Sequence, residues 1–140
     1  MRLLITLPGA VITDVGDVVA VRAEDESGEF GVLPHHADLV TALAISIVGW
    51  RRSDGSQSYC AVRGGLFTVA HGDEVAIATR EAILGDDLAA LEGVVRERLA
   101  AEADRQRQAR ASAEQLRLQA IRQMIGYLRP ELAGAERERP

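Results

Sequence analysis

Apolar and polar positions alternate with a period near two along the first part of the chain and near 3.6 along the rest, and the switch falls at Gly85. Before it, short runs rich in β-branched residues occupy 10–12, 16–23, 45–52, 57–63, 66–70 and 74–79. Turn signals stand between them at Pro8-Gly9, Ser27-Gly28, Asp54-Gly55, Gly64-Gly65 and His71-Gly72. Asp54-Gly55 between two such runs predicts a hairpin, because glycine supplies the positive φ of a type I′ turn. Gly64-Gly65 predicts another turn between two strands. Ser58, Cys60 and Val62 should share one face, with Gln57, Tyr59, Ala61 and Arg63 on the other, and Val75 and Ile77 should point inward together. Many short strands with closely spaced turns and no helix among them imply an antiparallel sandwich or barrel of about 80 residues.

After Gly85 the composition turns to Ala, Glu, Arg and Leu, with no Pro from 86 to 110. Leu88, Leu91, Val95 and Leu99 form an apolar stripe at helical spacing, and Asp86 and Asp87 sit where carboxylates cap a helix start. Ser112-Ala113-Glu114-Gln115 has the spacing of a capping box and predicts a second start. Leu118, Ile121, Ile125 and Leu128 would form its stripe, and Pro130 would end it. The expected organisation is therefore a β domain over 1–84, a two-helix antiparallel hairpin over 85–129 and a disordered tail over 130–140.

Charge divides the chain along the same line. Residues 1–93 hold 6 Arg against 14 acids, a net of −8; residues 94–129 hold 8 Arg against 4 acids, a net of +4. The last eleven residues add −1, which gives the total of −5. An acidic body with a basic arm has two surfaces suited to different partners. No apolar run approaches the ~18 residues that cross a bilayer, and Met1–Pro8 is too short for a signal peptide's apolar region. Cys60 is the only cysteine, so no internal disulfide forms, and the reading is a cytosolic protein.

Residues able to carry chemistry do not assemble. Cys60 lies in an alternating run and reads as a buried filler. His35 and His36 are adjacent and point apart on an extended backbone, so they do not chelate one ion, and His71 falls in a turn. The chain has no Lys and no phosphate-cradling glycine loop leading into a helix, so neither metal nor nucleotide cofactor is expected. Eight arginines from Arg96 to Arg129 are mixed with acids and lack interleaved aromatics apart from Tyr127; a protein-docking surface fits them better than nucleic acid. The segment 28–43 is different. Gly28 and Gly31 flank Glu29-Phe30, Pro34 fixes an exit direction, and Leu39, Val40, Ala42 and Leu43 would anchor a loop with a polar tip. A rigid loop held on a β body is a binding surface.

That segment, GEFGVLPHHADLVTAL, resembles the G-E-x-G-(I/V)-x-P-x-H-A-P-L-(L/V)-T-x-L stretch of the epsilon subunit of F-type ATP synthases, called delta in mitochondria. Gly64-Gly65-Leu66-Phe67-Thr68-Val69 is similar to the family's G-G-(I/F)-x-x-V, and the order of sandwich then helices agrees. The resemblance implies a ten-stranded antiparallel sandwich followed by a two-helix hairpin. It also implies a non-catalytic subunit of the central stalk, peripheral on the cytoplasmic face of the bacterial inner membrane. Such a subunit binds the gamma subunit and the c ring and links ion-driven rotation to ATP synthesis, with H⁺ or Na⁺ as the ion. Glu29, Gly31 and His36 would meet the c ring, and Arg117 and Arg122 of the arm would press on the alpha/beta catalytic head to inhibit ATP hydrolysis. Two positions depart from the pattern: His35 replaces a Gly and Asp38 replaces a Pro. Nucleotide-binding relatives carry (I/L)-D-x-x-R-A in the first helix; here those acid, Arg and Ala positions are Ala89, Glu92 and Gly93, which implies no ATP site. A free-standing adaptor with a basic hairpin is the second reading, and an RNA-binding module the third.

Overall fold

A computed structural model describes residues 1–128, so the expected stop at Pro130 and the disordered tail lie outside the described residues. Eight strands are followed by one helix: β1 (Arg2–Leu7), β2 (Ala10–Val15), β3 (Val18–Asp25), β4 (Gly28–Val32), β5 (Leu39–Arg52), β6 (Gln57–Ala70), β7 (Glu74–Ala78), β8 (Ala82–Gly85) and α1 (Leu88–Leu128). The ten-stranded sandwich is thus corrected to eight strands among the described residues. Two compact units divide the chain, the first being Met1–Leu99 and the second beginning at Ala100.

The strands pair in the order β2-β1-β7-β6-β5-β3-β4, with β8 also on β6. The β5–β6 hairpin is the spine, paired from Leu39↔Val69 to Arg51↔Gln57. Its turn is where Asp54-Gly55 predicted it: Gly55 has φ 86, its N–H donates to the Arg52 carbonyl at 2.9 Å, and the Asp54 carboxylate accepts the Ser56 N–H. The other expected turn does not form. Gly64-Gly65 lies inside β6, whose register against β5 is the same on both sides of it. Positive φ values of 68 and 125 crease the strand there instead of reversing it. Before the crease β6 pairs with β8, and after it the same edge pairs with β7. One long sheet is thereby folded into two leaves.

The sheet is not wholly antiparallel either. β1 pairs in parallel with β7, from Arg2↔Glu74 to Thr6↔Ala78. A parallel neighbour needs a long connection, and all of β2 to β6 supplies it. Between the leaves lies one apolar core built from alternate residues: Leu3 and Ile5, Val21 and Ala23, Val48 and Trp50, Cys60 and Val62, Phe67 and Val69, Val75 and Ile77. Phe30 meets Phe67 edge to face, with ring centroids 5.1 Å apart. Ala61, expected on the outer face, is buried as well, in a crevice also lined by Val94, Val95 and Arg98 at the start of α1.

Among the described residues the two-helix hairpin is corrected to a single helix. Asp87 caps it, its carboxylate accepting the Ala89 N–H at 3.0 Å, as the sequence predicts; Asp86 plays no such part in capping. Leu91 is the buried member of the first stripe and packs against Gly85, while Arg98 is ion-paired with Glu81. Nothing at 112–115 interrupts α1. A capping box ends a helix only where the preceding residues turn away. Here Ala109-Arg110-Ala111 before it and Ala113-Glu114-Gln115 after it all favour helix, with no Gly or Pro between Gly93 and Gly126.

Candidate functional site

Alternation along β4 decides what the 28–43 segment presents. Phe30 and Val32 face the core, so Glu29 and Gly31, which alternate with them, face outward. β4 is an edge strand, with Glu29 opposite Glu24 and Gly31 opposite Arg22 on β3. The hairpin tip carries Glu24, Asp25, Glu26 and Glu29 within six residues, a concentrated negative field. Ser27 and Thr41 donate to the Asp25 carboxylate, and these bonds hold its pKa below the usual carboxylate value. Gly31 is not demanded by the backbone: a Cβ there would meet only the Val21 carbonyl oxygen, at 3.8 Å. Its missing side chain is therefore a feature of the surface.

His36 follows in the loop 33–38, half-buried, with Nδ1 2.6 Å from the Ala37 carbonyl oxygen. Glu29 and Gly31 line one groove, of about 1040 Å³, together with Arg22, Tyr59 and the α1 residues Leu88, Glu92 and Leu99; His36 is not among the residues lining it. Beside His36, His35 adopts φ 67, the conformation for which the related pattern has Gly. The anchor is narrower than expected. Leu39 and Leu43 face the core, whereas Val40 and Ala42 face outward, Val40 with 69% of its surface exposed.

Those two residues belong to a surface that the sequence pattern left unnoticed. Val40, Thr68, Ala76 and Leu4 form one cross-strand row, and Ala42, Leu66, Ala78 and Thr6 the next. None is charged. The two threonine hydroxyls donate to the Ala76 and Ile77 carbonyls, which uses up their polarity inside the sheet. At the β2 edge the face ends in the Arg2–Asp14 ion pair, 2.9 Å. An exposed, flat apolar face on an otherwise acidic body marks a protein-docking surface. The absence of charge at Leu66, Thr68 and Ala70 and at Ala76 and Ala78 was the available signal.

Arg117 and Arg122 lie in the second unit, both exposed on α1. Five residues apart, they point about 140° away from each other around the helix axis, so they do not share one face. Leu118, Ile121, Ile125 and Leu128 are exposed too.

The remaining reactive groups are accounted for by structure. Cys60 is fully buried, and desolvation pushes its thiol up to about 11. Among the described residues no group of three or more His, Cys, Asp or Glu could hold a metal ion. No described helix is long and apolar enough to cross a membrane.

Residues 1–85 match the family "ATP synthase, Delta/Epsilon chain, beta-sandwich domain". The "ATP synthase epsilon chain 2" of Paraburkholderia xenovorans is 42% identical over 135 residues, covering 96% of this chain and 97% of that one. The protein of the same name from Cereibacter sphaeroides is 40% identical over 130 residues, 91% of this chain and 88% of its own. A chain in the Euglena gracilis mitochondrial ATP synthase structure containing OSCP, F1 and the c-ring superposes with a TM-score of 0.57 at 28% identity, covering 70% of this chain and 62% of that one. A chain of the Tetrahymena thermophila central stalk and c-ring, at 11% identity and a TM-score of 0.51 over 59% of this chain and 65% of that one, shares the fold.

Proposed function

The chain belongs to the ATP synthase delta/epsilon family, and from that premise we propose that it is a non-catalytic coupling element clamped between the gamma subunit and the c ring of a rotary ATP synthase. The observation that carries this reading is the presence of two unlike docking surfaces on one stiff β body. The uncharged face centred on Val40, Leu66, Ala76 and Ala78 offers flat apolar area of the kind a permanent partner covers, and it is assigned to the gamma subunit. The acidic hairpin with Glu29 and Gly31, and the adjoining loop with His36, are assigned to polar and basic loops of the c ring. Charge there sets register and orientation more than bulk affinity. Torque passes between the two because the core, and Phe30 against Phe67 in particular, fixes the outward residues of β4 to the rest of the sandwich. On this reading the chain works at the membrane's cytoplasmic face as a peripheral component, without an ion-binding or nucleotide-binding site of its own.

The test is site-directed cross-linking in the assembled enzyme. Cysteine at Gly31 or Glu29 should form adducts with c subunits and cysteine at Val40 or Leu66 with gamma; Cys60, being buried, leaves a clean background. Adducts of both sets with one and the same partner would refute the assignment.

The arm is assigned an inhibitory role against the alpha/beta head, resting on its net positive charge and on Arg117 and Arg122. Because these arginines diverge around the helix, each would engage a different acidic group. Deleting the chain from Ala100 onward leaves the first unit whole and should raise the ATP hydrolysis rate of the complex; an unchanged rate removes this role.

A further inference from the structure

The corner assigned to the c ring is made of two loops, and one carboxylate joins them. Asp38 immediately precedes β5 and His71 immediately follows β6, so they flank the open end of the hairpin whose last pair is Leu39↔Val69. Asp38 Oδ1 accepts the His71 N–H at 3.1 Å. A second bond ties the same loops, the His35 N–H donating to the Gly72 carbonyl at 2.7 Å. Both His35 and His71 are held at positive φ, 67 and 57, an arrangement that persists only where surrounding bonds over-determine it. The loops also touch closely: a Cβ on Gly72 would lie 3.2 Å from the His35 Cα. His36 stands in this framework, between the residue bonded to Gly72 and the residue bonded to His71.

We infer that Asp38 is a positioning residue: its carboxylate pins the 33–38 loop to the 71–73 turn and so presents His36, with the His71 turn beside it, as one two-loop platform for the polar loops of the c ring. This rests on the c-ring assignment proposed above. At this position the related pattern has Pro, which would stiffen the loop covalently; a carboxylate that accepts a neighbouring amide achieves the restriction through a hydrogen bond. The role needs an acceptor oxygen at the side-chain δ position and does not need its charge.

Complexes stripped of this chain are titrated with the purified full chain, and the concentration that half-restores ATP-driven ion pumping in inverted vesicles is measured. Losing one such bond changes the population of the ordered loop about fivefold, so Asp38→Ala should raise that concentration by about that factor, with amide exchange at His71 accelerated and the unfolding temperature little moved. Asp38→Asn keeps the acceptor and should restore both the titration and the slow exchange. A wild-type titration for Asp38→Ala overturns the inference, as does an Asp38→Asn that fails as fully as Ala, which would assign the effect to charge. His36→Ala and Glu29→Gln are run alongside. If they impair restoration while Asp38→Ala does not, only the positioning role falls; if none of the three has an effect, the c-ring assignment falls with it.

Discussion

The crease in β6 makes the sandwich depend on a single hydrogen atom. Gly65 has φ 125, and a Cβ there would lie 2.2 Å from the Ala78 carbonyl oxygen and 3.1 Å from the Thr79 Cα. Both obstacles are backbone at the C-terminal end of the neighbouring strand β7, so no side chain can rotate away. Gly65→Ala therefore incurs about 1–3 kcal/mol for a disallowed backbone conformation and about as much again for forcing the strands apart. At about 4–8 °C per kcal/mol for a domain of this size, the midpoint should fall by at least about 8 °C. The single tryptophan, Trp50, is buried in the core, so its fluorescence on heating reports the sandwich directly. Gly9→Ala is the control: φ is 79 there but nothing lies within 4 Å of the added carbon, and the loss should stay near 1–2 kcal/mol. A Gly65→Ala midpoint within about 3 °C of the parent would refute the claim that this glycine forms the fold line.

Three further outcomes follow from the same structure. The Cys60 thiol should resist a disulfide reagent at pH 8 in the native chain and react once in denaturant, since burial raises its pKa to about 11; fast native labelling would contradict the buried position. Asp14, Asp17, Asp25 and Asp54 are held below their ordinary pKa by bonds from Arg2, Arg52, Ser27 and Ser56 respectively. Depressed folded-state values mean that this stability is present above the unfolded carboxylate pKa of about 3.9 and is lost as pH falls below it, so the melting temperature should decline from about pH 4 downward and Asp25→Asn should flatten that decline. Calorimetry should detect no ATP binding, because Ala89, Glu92 and Gly93 stand where nucleotide-binding relatives carry an acid, an arginine and an alanine; a Kd below about 100 μM would contradict it.

Local pattern revealed the β body, the Asp54-Gly55 hairpin and the start of α1 because each is a short-range matter: alternation, a turn glycine, a capping carboxylate. What it concealed depends on distant partners. β1 is an apolar run without a strict alternation until Leu3 and Ile5 meet Val75 and Ile77 on β7. Gly64-Gly65 signals a special backbone conformation equally well for a turn and for a crease, and only the continuous β5 partner selects the crease. The capping box at Ser112 is compatible with an uninterrupted helix, so its spacing alone did not decide. For the proposed c-ring surface, the motif singled out Glu29, Gly31 and His36 as part of a loop, and the structure places the first two on an edge strand and His36 in the loop after it. The apolar face escaped notice because its members come from four strands, each contributing only two residues.

Isolation of a tagged copy from the native membranes, with identification of what remains bound after gentle solubilisation, tests the central claim most directly. The account predicts that gamma and c subunits accompany it in stoichiometric amounts and that replacing Val40 and Leu66 with arginine removes gamma from the set. Recovery of the chain with neither subunit would contradict it.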